Sequence, residues 1–244
     1  MAISYRTALI TGAGSGMGRA IALNLAGAGV SVALVGRDRA KLERVRDEIK
    51  HPESRVVVEP CDVADRAAVG AMVERVRGAL GSIEILVCNA GVNVPRRSLE
   101  TLDPADWDRM IATNLTGAFN LVHFVLPSMR AQRGGLIVQI CSISGMRASV
   151  LGGAGYSASK FGQAALGLCI GREERLHGIK SSVIYPGEVN TPILEARPTP
   201  VAPERREAIL QPEDVAAAVR FLAELPPRAH VPELVITPTV DDFF

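Results

Sequence analysis

Short apolar runs alternate along the chain with longer segments whose apolar residues return every three or four positions. Residues 7–10 form a buried-strand run that passes at once into glycines. Helical spacing then predicts a helix from about Met17 to Ala28, with Gly29 at its stop. Residues 31–35 predict a second strand, and Leu42, Val45 and Ile49 mark one face of the polar helix behind it. A third strand over 55–58 leads into a helix carrying Val69, Met72, Val73, Val76 and Leu80. A fourth strand over 83–88 precedes a long helix from about Pro104 to Met129. The rest reads as a strand at 136–140, a helix at about 155–176, a strand at 181–184, a helix at 211–225 and a last strand at 234–236. Strands that alternate with helices predict right-handed crossovers and a parallel sheet covered on both faces. The expected fold is therefore α/β, a doubly wound parallel sheet of three layers in one domain spanning 1–244.

One stretch breaks this rhythm. Between Glu188 and Pro212 stand Pro192, Pro198, Pro200 and Pro203, a segment of the kind that forms a lid or binding loop. It follows the sixth strand, at the carboxyl edge where such sheets bind ligands.

Bulk chemistry narrows the function. The 27 basic and 26 acidic side chains nearly cancel, which argues against nucleic acid or an anionic membrane as partner. Four widely spaced cysteines, Cys61, Cys88, Cys141 and Cys169, suggest core residues in a reducing, cytoplasmic setting. The four histidines have no metal-ligand spacing, so no metal is expected. Neither a signal peptide nor an apolar run of membrane-spanning length is read.

The first strand ends in Thr11-Gly12-Ala13-Gly14-Ser15-Gly16-Met17-Gly18. Such glycines let the backbone turn tightly and approach a pyrophosphate, while the next helix offers it unpaired N–H groups. The alternative is a tight turn with no ligand. At the end of the second strand, where a carboxylate would bind the ribose of NAD, the chain has Gly36, then Arg37 and Asp38. Arg37 suits a 2′-phosphate and favours NADP(H) over NAD(H), unless it is a solvated surface charge. Asp62 and Val63 follow the third strand, the carboxylate serving either an adenine amino group or the N-cap of the next helix. Asn89-Ala90-Gly91 ends the fourth strand, small and polar where the backbone must pass close to a ribose.

Tyr156-Ser157-Ala158-Ser159-Lys160 opens a predicted helix, and i, i+4 spacing puts Tyr156 and Lys160 on one face. An ammonium beside a phenol lowers its pKa and equips it to exchange a proton with a carbonyl or alcohol oxygen. Ser142, just past the fifth strand, is placed to hydrogen-bond the same oxygen, with Ser144 as its rival. Asn114 is a poor residue for the middle of a helix, which points either to a polar role near Lys160 or to a surface amide.

In this order and on these elements, the residues resemble the short-chain dehydrogenase/reductase family over essentially the whole chain. The resemblance implies a Rossmann fold and a tetrad of Asn114, Ser142, Tyr156 and Lys160, with Asn114 and Lys160 anchoring a water relay. It implies a dinucleotide held by Gly12, Ser15, Gly16, Met17, Gly18, Arg37, Asp62, Val63, Asn89, Ala90, Gly91, Tyr156 and Lys160. A loop of Pro186, Gly187, Val189 and Thr191 would hold the nicotinamide carboxamide. The Ser142–Tyr156 interval is one residue longer than the family's usual thirteen. The implied activity is hydride transfer between NADP(H) and a small carbonyl or alcohol in a homotetramer or homodimer. A 3-oxoacyl-thioester reductase is the second enzyme reading, and a non-catalytic dinucleotide sensor the reading from another class.

Overall fold

The apolar runs form a seven-stranded sheet, all parallel, in the computed structural model, which describes residues 3–241. In chain order the elements are β1 (Thr7–Thr11), α1 (Gly16–Gly27), β2 (Ser31–Gly36), α2 (Arg39–Glu48), β3 (Val56–Pro60), α3 (Arg66–Leu80) and β4 (Ile85–Cys88). They continue with α4 (Pro104–Ile111), a π-helical turn (Ala112–Thr116), α5 (Gly117–Gln132), β5 (Gly135–Ile140), α6 (Ala154–Glu173) and β6 (Ile179–Pro186). Last come α7 (Pro203–Ala208), α8 (Pro212–Glu224) and β7 (Glu233–Ile236). The strand order is β3-β2-β1-β4-β5-β6-β7.

Strand periodicity explains the two cores. Ala8 and Ile10 of β1 face one layer and Leu9 the other, and all three are buried. On the first face Ile85 and Val87 join Leu25 of α1 and Val215, Val219 and Leu222 of α8. On the second, Leu86 and Cys88 meet Val69, Met72, Val73 and Val76 of α3 and Leu121 and Val125 of α5. Each fully buried Leu, Ile or Val contributes about 1.5–3 kcal/mol, so neither face is dispensable.

The sheet order reverses between β1 and β4, and their carboxyl ends open a crevice there. Three differences from the sequence reading have physical causes. Strand β6 runs over Ile179–Pro186, longer than 181–184, because strand pairing continues past both ends, Ile179 and Lys180 against Gly135 and Leu136 of β5 and Tyr185 and Pro186 against Val235 and Ile236 of β7. The helix expected from Pro104 to Met129 reaches Gln132 and contains the π turn. By length and composition Pro104–Gln132 is apolar enough to cross a bilayer, yet 44% of its most apolar window is buried inside the fold, as in a core helix. The proline-rich stretch carries a 3₁₀ turn (Pro192–Ala196), then α7, and a bridge between Val189 and Leu210. Of the four thiols, Cys61, Cys88 and Cys141 are buried as expected, whereas Cys169 is exposed on α6.

Candidate active site

The crevice is a cleft of about 800 Å³ between the glycine loop and the ends of β2, β3 and β4. Its shape depends on missing side chains. A Cβ on Gly18 would lie 2.2 Å from the Gly12 carbonyl oxygen and 2.6 Å from Asn89 Nδ2. Gly16 takes the left-handed φ of 52°, and a Cβ there would press on the Thr191 side chain at 3.2 Å. Ser15 stands at the N-cap of α1 without capping it, so the first N–H groups of the helix keep their capacity for an anion. Asn89 donates to the Thr11 carbonyl (2.8 Å), while its own Oδ1 is buried without a partner. These features fit a dinucleotide pyrophosphate passing close to the backbone.

The acidic residues at the strand ends have distinct tasks. Asp38 is the N-cap of α2 and accepts from Lys41 N (3.2 Å), which commits its carboxylate to the helix. Arg37 beside it is exposed on the cleft, and Lys41 lines the same wall. Lys41 is a second cation that the strand-end reading missed, because it comes from the first turn of α2. Asp62 lines the cleft with Val63 and accepts from Ala64 N (3.0 Å). The N-cap of α3 is Asp65, accepting from Ala68 N (3.0 Å), so the capping role weighed for Asp62 belongs three residues later.

Deeper in, Tyr156 lies where this cleft meets a second cavity of about 370 Å³. Ser142 lines that second cavity with it, and the Ser142 hydroxyl accepts from Ser144 N (3.1 Å). Ser142 and Ser144 both line this cavity, and of the two Ser142 is the one that draws the phenol's pKa down. Burial, and then the Cys141 thiol, push the Tyr156 phenol up to about 12, against the opposing Ser142 hydrogen bond and the Arg97 charge.

Here burial raises the phenol, where the sequence reading expected the Lys160 ammonium to lower it. The spacing does bring Lys160 under Tyr156, with Nζ 5.7 Å from the ring centroid. That ammonium, however, is buried and donates to the Ile140 carbonyl (3.0 Å) and to Gln163 Oε1 (2.8 Å). Burial lowers its own pKa. Gln163 also donates to Cys88 O (3.2 Å) and Gln139 Oε1 (3.1 Å), which turns its carbonyl toward Lys160. Neither glutamine stands out in the sequence, since both fall at positions the helical and strand patterns assign to the core.

Asn114 sits in the π turn, fully buried. Its Oδ1 accepts from Val92 N (2.7 Å), and its Nδ2 donates to Val92 O (3.0 Å) and Ser159 Oγ (3.0 Å). The amide therefore ties the end of β4 to α6, and its side chain has little left for a relay. Gly91 passes between the two polar groups, its Cβ direction 3.5 Å from Asn114 Oδ1 and 3.6 Å from Lys160 Nζ.

Beyond β6, Gly187 N donates to the Ile236 carbonyl (2.8 Å). The Val189–Leu210 bridge uses Glu188 O and Asn190 N, which leaves the Val189 N–H on the other edge of the chain. Thr191 is buried across from Gly16 and lines the cleft. Glu188 anchors the proline-rich segment by pairing with Arg197 (2.9 Å) and Arg205 (2.6 Å), and Arg205 also pairs with Asp241. Arg206 donates to Asn190 Oδ1 (3.3 Å).

Comparison with known proteins agrees with this geometry. The short chain dehydrogenase family matches residues 6–201. An uncharacterized oxidoreductase of Listeria monocytogenes is 31% identical over 98% of each chain. An acetoacetyl-CoA reductase of Rhizobium meliloti is 35% identical over 89% of this chain and 90% of its own. An alcohol dehydrogenase from the archaeon Thermococcus sibiricus, solved with 5-hydroxy-NADP, superposes with a TM-score of 0.87 at 28% identity, covering 98% of this chain and 99% of its own. The chain belongs to the short-chain dehydrogenase/reductase family.

Proposed function

We propose that the protein transfers a hydride between NADP(H) and a carbonyl or secondary alcohol, with Tyr156 giving or taking the proton. The observation that carries this reading is the place of Tyr156 at the meeting of the two cavities, with Lys160 lining the first and Ser142 the second. A bound dinucleotide supplies the hydride and, when oxidised, a positive charge. Gly12, Ser15, Gly16, Met17 and Gly18 would hold its pyrophosphate, Asp62 and Val63 its adenine, and Asn89, Ala90, Gly91 and Lys160 its riboses. Pro186, Gly187, Val189 and Thr191 would hold its carboxamide. In the carbonyl-reducing direction the neutral Tyr156 phenol donates its proton to the substrate oxygen, and Ser142 donates a hydrogen bond to the same atom. The segment 188–212 would close over the substrate, and homo-oligomers would form on the half-exposed Phe119 and Phe161 of α5 and α6.

The raised phenol gives the pH dependence its sign. Burial keeps Tyr156 protonated, so kcat/KM for carbonyl reduction is expected to stay level from about pH 6 to about pH 9. Alcohol oxidation needs the phenolate and is expected to climb by up to about tenfold per pH unit over that range. Initial rates in both directions test this. A reduction rate that falls through neutrality would show that the phenol ionises far lower than its burial allows.

Arg37 and Lys41 on the cleft wall support NADP(H), because the nearest carboxylate, Asp38, is engaged as a cap. Arg37→Asp is expected to lower the NADPH-over-NADH ratio of kcat/KM by about 10- to 100-fold. An unchanged ratio would remove Arg37 from the phosphate site.

A further inference from the structure

The cavity beyond Tyr156 carries an unbalanced charge. Three guanidiniums, Arg97, Arg197 and Arg205, line it against two carboxylates, Glu188 and Asp241. Both carboxylates are engaged by Arg197 and Arg205. Arg97 is the charge left over. It is only 7% exposed, and its donors go to backbone carbonyls of three separate loops, Val94 (2.7 Å), Leu151 (2.9 Å) and Ala196. Among the described residues no carboxylate pairs with it.

Carbonyl oxygens satisfy N–H groups but bring only partial negative charge. A buried guanidinium held this way keeps its full positive charge in a poorly solvated place, which is costly unless a counter-ion arrives. Three of its five N–H groups are taken, and each terminal nitrogen retains one. Arg197 lies near enough for its charge, after burial, to disfavour a second positive group at Arg97. The Arg97 charge is also felt at the Tyr156 hydroxyl. Two neighbouring guanidiniums, of which only Arg197 holds a carboxylate and shares that one with Arg205, form a site for an anion within reach of the proton-transfer residue. The cavity of about 370 Å³ suits a small molecule.

Resting on the oxidoreductase reading above, we propose that Arg97, with Arg197 beside it, is a substrate-anion site, so that the substrate is a short oxo or hydroxy acid. Its carboxylate sits on the guanidiniums while its carbonyl or alcohol carbon faces Tyr156 and Ser142.

The test compares short 2- and 3-oxo acids with their methyl esters as substrates for NADPH oxidation, and titrates malonate into the enzyme–NADP⁺ complex by calorimetry. The wild type is expected to prefer acid over ester by about 10- to 100-fold in kcat/KM, and to bind malonate. Arg97→Leu should collapse the preference and abolish malonate binding. Arg97→Lys should keep part of both, because the charge remains while the fork is lost. Arg197→Met should reduce both by a smaller factor. NADPH affinity reports whether each variant is folded, and if Arg97→Leu fails that check the other two variants decide. Esters turned over as fast as acids, without malonate binding, would overturn the anion site and leave hydride transfer standing. Arg97-dependent malonate binding without turnover of any carbonyl would sustain the anion site and sink the hydride-transfer reading.

Discussion

Replacing Tyr156 by Phe is expected to lower kcat for carbonyl reduction by about 10²- to 10⁴-fold, the range general acid catalysis contributes. The substitution removes one oxygen from a ring that stays packed, so the effect belongs to the proton and not to the fold. NADPH affinity and Tm should both stay close to wild type, since the glycine loop and the Lys160–Gln163 contact do not depend on the hydroxyl. The partner left behind, Ser142, keeps its bond from Ser144 N. The measurement is steady-state turnover beside a nucleotide titration. A sensor without turnover would bind NADPH equally well in both proteins and oxidise it in neither, and an undiminished rate in the variant would move the proton to another group.

The second large effect is expected from one methyl group. In Gly18→Ala the new carbon would sit 2.2 Å from a backbone oxygen, Gly12 O, and 2.6 Å from Asn89 Nδ2, which is itself tied to Thr11 O. Neither neighbour is the free end of a flexible chain, so the start of α1 must move away from the end of β1. Overpacking of this kind costs about 1–3 kcal/mol, a fall in Tm of roughly 2–12 °C for a domain of this size. Because the displaced backbone is the pyrophosphate cradle, NADPH affinity should fall by about tenfold or more. Gly27→Ala is the matched control. Nothing lies within 4 Å of its Cβ position, and a methyl at the end of the same helix should be neutral or slightly stabilising. Calorimetry and nucleotide titration on both variants separate the steric cost from the helical gain. Equal behaviour of the two would mean that the glycine loop does not approach Asn89 as described.

Much of this architecture was legible in the residues. Buried strands such as β1 and β4 announce themselves because both their faces must be apolar, although the run read over 83–88 begins two residues before β4 itself. The helices of the outer layers do so because only one face is. Boundaries slipped where pairing with a neighbouring strand carried an element past its apolar run, as at both ends of β6. The glycine loop, Tyr156, Lys160 and Ser142 stood out because their spacing is local and each precedes or opens an element. Lys41 did not, since its place on the cleft follows from how α2 crosses β2. Nor did Gln163, whose polar side chain lies at a core position and acquires meaning only when Lys160 turns toward it.

By itself, then, the sequence determined the succession of strands and helices and the parallel sheet covered on both faces, because hydrophobic period and strand–helix alternation are properties of neighbouring residues. It also determined which residues gather at the carboxyl edge, since each lies within a few positions of a strand end. Only the tertiary structure decided the electrostatics. Burial raises the Tyr156 phenol, Lys160 donates to Ile140 and Gln163, and Arg97 has no carboxylate partner among the described residues while bonding to Ala196, 99 positions away. Desolvation and charge pairing depend on which distant segments close over a group, and no local pattern of residues carries that information.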